Sequence, residues 1–174
     1  MCLNFCMLYY LEHTNLTRRR TCEHSCYKPM IGRGRSLFEH KKLRYFSITL
    51  RLQRLFISLK TIEHMTWYQS HDAVDGVMVH PFDNEARKHF NSVHPRFLLE
   101  IKNVCLGLFT DGFNPFELFA PPFSYWSMIL MVYNLPTEMC MRLEFMFLSM
   151  VILGSNSLGQ NIDVCLRPLI HELK

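Results

Sequence analysis

The strongest constraint on this chain lies in its second half, where three apolar segments are separated by turn-forming text and followed by one helical pattern. Residues 103–110 (NVCLGLFT) read as a buried strand that runs straight into Asp111-Gly112. Residues 124–134 (SYWSMILMVYN) are rich in aromatic and branched side chains, which suit a pleated, half-buried surface. Leu135-Pro136-Thr137 turns the chain, and residues 144–153 give a third strand. After a polar loop at 154–159, residues 161–174 place Val164, Leu166, Leu169, Ile170 and Leu173 on one side of a helix. Pro168 sits within that helix, which predicts a late start or a kink. Strand, strand, strand, helix is the order of an α/β (α+β) domain, and its first strand ends in an acid.

The front half reads differently. Residues 1–28 mix aromatics, the run Arg18-Arg19-Arg20 and four cysteines, and residues 29–42 carry Pro, two Gly and many charges, as a linker does. Residues 43–60 (LRYFSITLRLQRLFISLK) place Leu50, Leu52, Leu55, Phe56 and Leu59 near helical spacing, with Arg51, Arg54 and Lys60 between them. That predicts an amphipathic basic helix, able to lie on a phosphate backbone or simply to pack on a core. Residues 71–80 are turn-rich. Asp83 can cap a short helix that puts Ala86, Phe90 and Val93 on one face and ends at His94-Pro95. The division this suggests is a basic module at 1–70 and an α/β domain at 71–174.

Charge follows the same division. Residues 1–71 hold 12 Lys+Arg against 4 Asp+Glu, whereas residues 72–174 hold 7 against 11. A basic front half suits a polyanion such as nucleic acid, or is a solvated surface. Apolar residues make up 49% of the chain, enough to build a core, and charged residues 20%, too few for a disordered segment. The longest apolar run, 145–153, is far short of the ~20 residues a membrane span needs. The first residues lack the basic start and small-residue cleavage site of a signal peptide. Seven scattered cysteines, an odd number, then read as reduced thiols inside a cell.

Few residues offer chemistry. Asp111, at a strand end, can project into a shared site and hold a divalent cation with other acids, although Asp-Gly after a strand is also an ordinary turn. Asp163 falls in the first turn of the last helix, a favourable place for an anion; Glu144 and Glu172 are the other acids there. Cys22-x3-Cys26, with Cys6 and His24 nearby, has a spacing zinc tolerates, but no second pair follows at finger spacing. His64, His71 and His80 read as surface histidines. No phosphate-binding glycine loop and no nucleophile elbow is present.

Longer blocks carry a resemblance. LRYFSITLRLQRLFISLKTIEHMTWY (43–68), VMVHPFDNEARKHF (77–90), KNVCLGLFTDGFNPF (102–116), MILMVYNLPTEMCM (128–141) and NIDVCLRPLIHELK (161–174) resemble, in order and spacing, blocks of the plant En/Spm-type (CACTA) DNA transposases. Upstream, CMLYYLEHTNLT and CEHSCYK are similar to the family's front module. The resemblance covers the chain from about residue 4 onward, and DGFNPF with YNLP is its most specific combination.

It implies a partial ribonuclease-H-like domain whose Asp-Asp-Glu site binds Mg²⁺ or Mn²⁺, with Asp111 matching the first Asp. The second Asp and the Glu would lie beyond the helix that starts near Asn161, so one metal ligand of three is expected here and strand cleavage is not. The resemblance further implies DNA as partner and a nuclear location, with no membrane or small-molecule substrate; from the charge of the front half, the residues expected to hold its phosphates are Arg18, Arg19, Arg20, Arg44, Arg51, Arg54 and Lys60. Zinc on Cys6 and Cys22 belongs to a degenerate motif: Arg19 stands where the family's first Cys would be, and Cys26 replaces an Arg. Thr137, Leu153-Gly154-Ser155, His171 and Tyr68 depart from the family's pattern as well, as in a copy no longer held to function.

Overall fold

The computed structural model describes residues 1–2, 4–18, 22, 25, 27–28, 38–72, 74, 76–114, 124–154 and 161–174. Its four strands are β1 (Lys42–Tyr45), β2 (Leu106–Phe113), β3 (Ser124–Val132) and β4 (Met146–Gly154), in the sheet order β1-β4-β3-β2. The helices are α1 (Thr49–Ile57), α2 (Ile62–Met65), α3 (Glu85–Val93), α4 (Pro95–Leu99), α5 (Thr137–Cys140) and α6 (Ile162–Glu172). The described residues fall into two compact units.

The first unit comprises Met1–Ser47, Thr110–Met128 and Ser149–Lys174. Here β1 runs antiparallel to β4, from Lys42 opposite Leu153 to Tyr45 opposite Met150, and the Phe46 N–H continues the ladder to Ser149 O at 2.8 Å. Its core holds Cys2, Phe5, Met7, Leu8, Met128, Met150, Ile152, Cys165 and Leu169. Helix α6 buries Cys165, Pro168 and Leu169, packs beside β1 and keeps Asp163 in its first turn. Pro168 lies on its buried side, and the helix already starts at Ile162, so the proline does not delay it. The Tyr45 hydroxyl and the Ser47 hydroxyl both donate to the Glu172 carboxylate at the far end of α6.

The second unit comprises Ile48–Phe109 and Ile129–Leu148. Ile48, Leu55, Met65, Leu130, Met131, Val132, Leu135 and Cys140 form its core. The expected single helix over 43–60 is two elements. Lys42–Tyr45 is drawn into the sheet by β4, and only Thr49–Ile57 is helical. The anticipated apolar stripe is not a buried one: Leu55 is covered, but Leu50 and Leu59 are 70% and 89% exposed. Asn84, rather than Asp83, caps α3, accepting the Ala86 N–H at 2.9 Å. No residue of α3 is buried.

Strand β2 starts and ends three residues later than the apolar run suggests, so Asp111 lies within the strand rather than beyond it. Two glycines let side chains from β3 and the residue after it cover β2 closely. A Cβ on Gly107 would stand 2.3 Å from the Tyr133 ring, and one on Gly112 would stand 2.6 Å from the Trp126 indole. The earlier glycine meets the later aromatic, so β2 and β3 are antiparallel. The predicted breaks at Pro115 and Pro121-Pro122 and the loop at 155–159 lie outside the described residues.

Candidate functional site

Asp111 is exposed on β2, and its Oδ1 accepts the N–H of the next residue, Gly112, at 2.8 Å. That bond turns the carboxylate back along its own strand. Trp126 covers Gly112, and Phe113 stacks on Tyr125 with ring centroids 5.8 Å apart. The neighbouring acids are used elsewhere: Glu172 receives two hydroxyls, Asp163 opens α6, and Glu144 lies in the short turn Leu143–Phe145. Among the described residues, no cluster of three metal-ligating side chains includes Asp111. One carboxylate does not satisfy the several oxygen ligands that Mg²⁺ or Mn²⁺ requires. Among the described residues the acids do not compose a divalent-metal centre.

The basic residues divide by environment. In the first unit, Arg18 and Arg44 are exposed, Arg44 on β1 opposite Val151; Arg19 and Arg20 lie outside the described residues. In the second unit, Arg54 and Lys60 are exposed. Arg51 is half-buried, donates to Leu148 O at 3.0 Å and lies 5.2 Å over the Phe147 ring. Its guanidinium works inside the fold.

Cys6 and Cys22 do come together, with sulfurs 3.5 Å apart, and Cys2 joins them 3.0 Å from Cys6. Burial, with the two neighbouring thiols, pushes the Cys6 thiol up to about 12. Cys2 was not among the expected ligands, although its spacing of four to Cys6 was a signal in the sequence. Cys26 and His24 lie outside the described residues.

A second cluster overturns the surface reading of His80, which is 2% exposed. His80 closes the turn Pro81–Asp83 by a reciprocal cap. Its Nδ1 accepts the Phe82 N–H at 3.1 Å, while Asp83 Oδ2 accepts the N–H groups of Val79 and His80 at 3.0 and 2.9 Å. With Nδ1 an acceptor, Nε2 carries the proton and donates to Leu135 O at 3.0 Å. Burial holds this imidazole below its ordinary range. Burial would raise Asp83, but the His71 ring N–H at 2.7 Å and the two backbone N–H groups outweigh it and hold the carboxyl low. Trp67 stacks on His71 at 4.4 Å and meets His80 edge-on at 4.9 Å. The carboxylate three residues after His80 and proline at the first turn position are the capping pattern that the sequence offered.

Beside this cluster opens a cleft of about 740 Å³, lined by Phe82, Ala86, Arg87, Phe90, Phe97 and Tyr133 among others. Arg87 spans it, its guanidinium 4.3 Å over the Phe82 ring and bonded to the Cys105 sulfur. In this cluster and its cleft, His71, His80, Asp83 and Arg87 each bond to another part of the fold. The helices are short: among the described residues, none is long and apolar enough to cross a membrane.

The blocks that resembled transposase text thus occupy defined places. HPFDNEARKHF builds the capped turn and α3, TDG lies on β2, and YNLP joins β3 to α5. The chain matches no curated protein and no solved structure. Residues 75–174, more than half of its length, match the model of the transposase family tnp2, and the chain belongs to that family.

Proposed function

We propose that this chain is part of a plant cut-and-paste DNA transposase of the En/Spm (CACTA) type, acting on DNA in the nucleus, and that by itself it holds DNA without cutting it. The family match over 75–174 is the observation that carries the reading. Three consecutive strands, β2, β3 and β4, followed by α6 agree with the front of a ribonuclease-H-like domain. Asp111 takes the place of that domain's first acid, and among the described residues it is not joined by the second and third carboxylates a two-metal cleavage needs. The exposed Arg18, Arg44, Arg54 and Lys60 supply phosphate contacts.

The test is a DNA-binding titration of the purified chain at two salt concentrations, with Mg²⁺ present and nicking scored in the same samples. Salt-sensitive binding without nicking is the expected result. Nicking that disappears in Asp111→Ala would overturn the inactivity. Absence of binding at low salt would remove the DNA contact and leave the family membership standing as ancestry alone.

A further inference from the structure

We propose that Cys2, Cys6 and Cys22 are protein ligands of one Zn²⁺ ion. Their sulfur atoms all lie within 4.8 Å of one another, and among the described residues they are the one group of three or more potential ligands so gathered. The two shortest separations are 3.0 and 3.5 Å. With zinc–sulfur bonds of about 2.3 Å, a tetrahedral site has sulfur–sulfur edges of about 3.8 Å, so the thiols need open by less than about 1 Å. A disulfide would demand the opposite movement, to about 2.05 Å, and would leave the third sulfur unused.

The backbone is shaped for this convergence. Between Cys2 and Cys6 the chain reverses through Phe5, whose φ is +53°, an uncommon conformation for a bulky residue. Two backbone bonds fix the reversal, Phe5 N–H to Cys2 O at 3.2 Å and Cys2 N–H to Met7 O at 3.1 Å. Inside the turn, the Asn4 N–H donates to the Cys2 sulfur at 3.2 Å. Cys2 is fully buried and Cys6 and Cys22 half-buried, which shields the ligands.

Soft sulfur donors select zinc and similar ions over Mg²⁺ and Ca²⁺. On binding, three thiols lose three protons, and the ion with its three thiolates carries one net negative charge. This inference does not rest on the DNA reading.

The experiment uses the whole chain, stripped of metal and kept reduced by a phosphine. It is titrated with Co²⁺, then with Zn²⁺. One ion per chain, with sulfur-to-cobalt charge-transfer absorption of three-thiolate intensity that Zn²⁺ displaces, is expected. Alkylation of loaded against metal-free wild type should differ at Cys2, Cys6 and Cys22, and not at Cys105, Cys140 or Cys165. Cys2→Ser, Cys6→Ser and Cys22→Ser should each weaken binding by more than the roughly 10–100-fold typical of losing an outer-shell partner, and Cys140→Ser should not. Failure to bind Co²⁺ or Zn²⁺, metal protection at Cys105, Cys140 or Cys165 in place of these three, or full affinity in Cys2→Ser would each overturn the proposal. The wild-type alkylation map decides the matter even if a serine variant does not fold.

Discussion

Asn134 holds the entry to β2 by both ends of its amide: Oδ1 accepts the Cys105 N–H at 2.8 Å, and Nδ2 donates to Asn103 O at 2.9 Å. The residue is 1% exposed. Asn134→Ala would strand a donor and an acceptor where little water reaches. The expected cost is about 2–3 kcal/mol, read as a lower urea midpoint at unchanged slope.

Gly112 has no room for a side chain under the Trp126 indole. Gly112→Ala should force the indole outward and destabilise by about 1–3 kcal/mol, with a changed tryptophan emission. Asp111→Ala, one residue earlier on an exposed carboxylate, should leave both readings nearly unchanged. Equal losses in the two variants would contradict this assignment of roles.

The turn at 80–83 predicts a pH dependence. His80 has a folded pKa below its unfolded one, so as pH falls through the ordinary imidazole range, near ~6.5, the unfolded chain takes up a proton first and stability drops. Asp83 is also lowered. Its contribution is present above the ordinary carboxylate range and is lost only as pH falls through that range to the folded value. Urea midpoints should therefore fall between pH 7.5 and 5.5, and His80→Gln, though less stable overall, should flatten that window. A wild-type midpoint that rises toward pH 5.5 would refute the assignment.

Arg51 and Arg54 are one helical turn apart but should behave oppositely. Arg54→Ala should leave the melting temperature unchanged while weakening DNA binding and reducing the salt slope by about one. Arg51→Ala should lower the melting temperature, because it loses the Leu148 carbonyl and the Phe147 ring. Lys60→Ala should resemble Arg54→Ala.

Strands β3 and β4 and helix α6 were legible because their apolar residues announce themselves within a few positions. Strand β1 was not. Lys42–Tyr45 becomes a strand only by pairing with residues 150–153, more than 100 positions away, and local periodicity read it as the start of a helix. His80 misled for a similar reason: its loop-like neighbours hide that Leu135 O, 55 residues later, meets Nε2. The three thiols needed the positive φ at Phe5, which no residue type in that stretch signals. Asp111 was readable as a strand acid, but its bond to Gly112 emerges only from coordinates.

The Tyr133-Asn134-Leu135-Pro136 run has a consequence for how genomes are read. Tyr133 covers Gly107, Asn134 ties down residues 103 and 105, Leu135 is fully buried and its carbonyl takes the His80 proton, and Pro136 starts α5. None of these jobs involves cutting DNA. A copy that had lost its nuclease would still need all four letters to fold, so a scan that scores them counts foldable descendants and cannot separate mobile elements from silent ones.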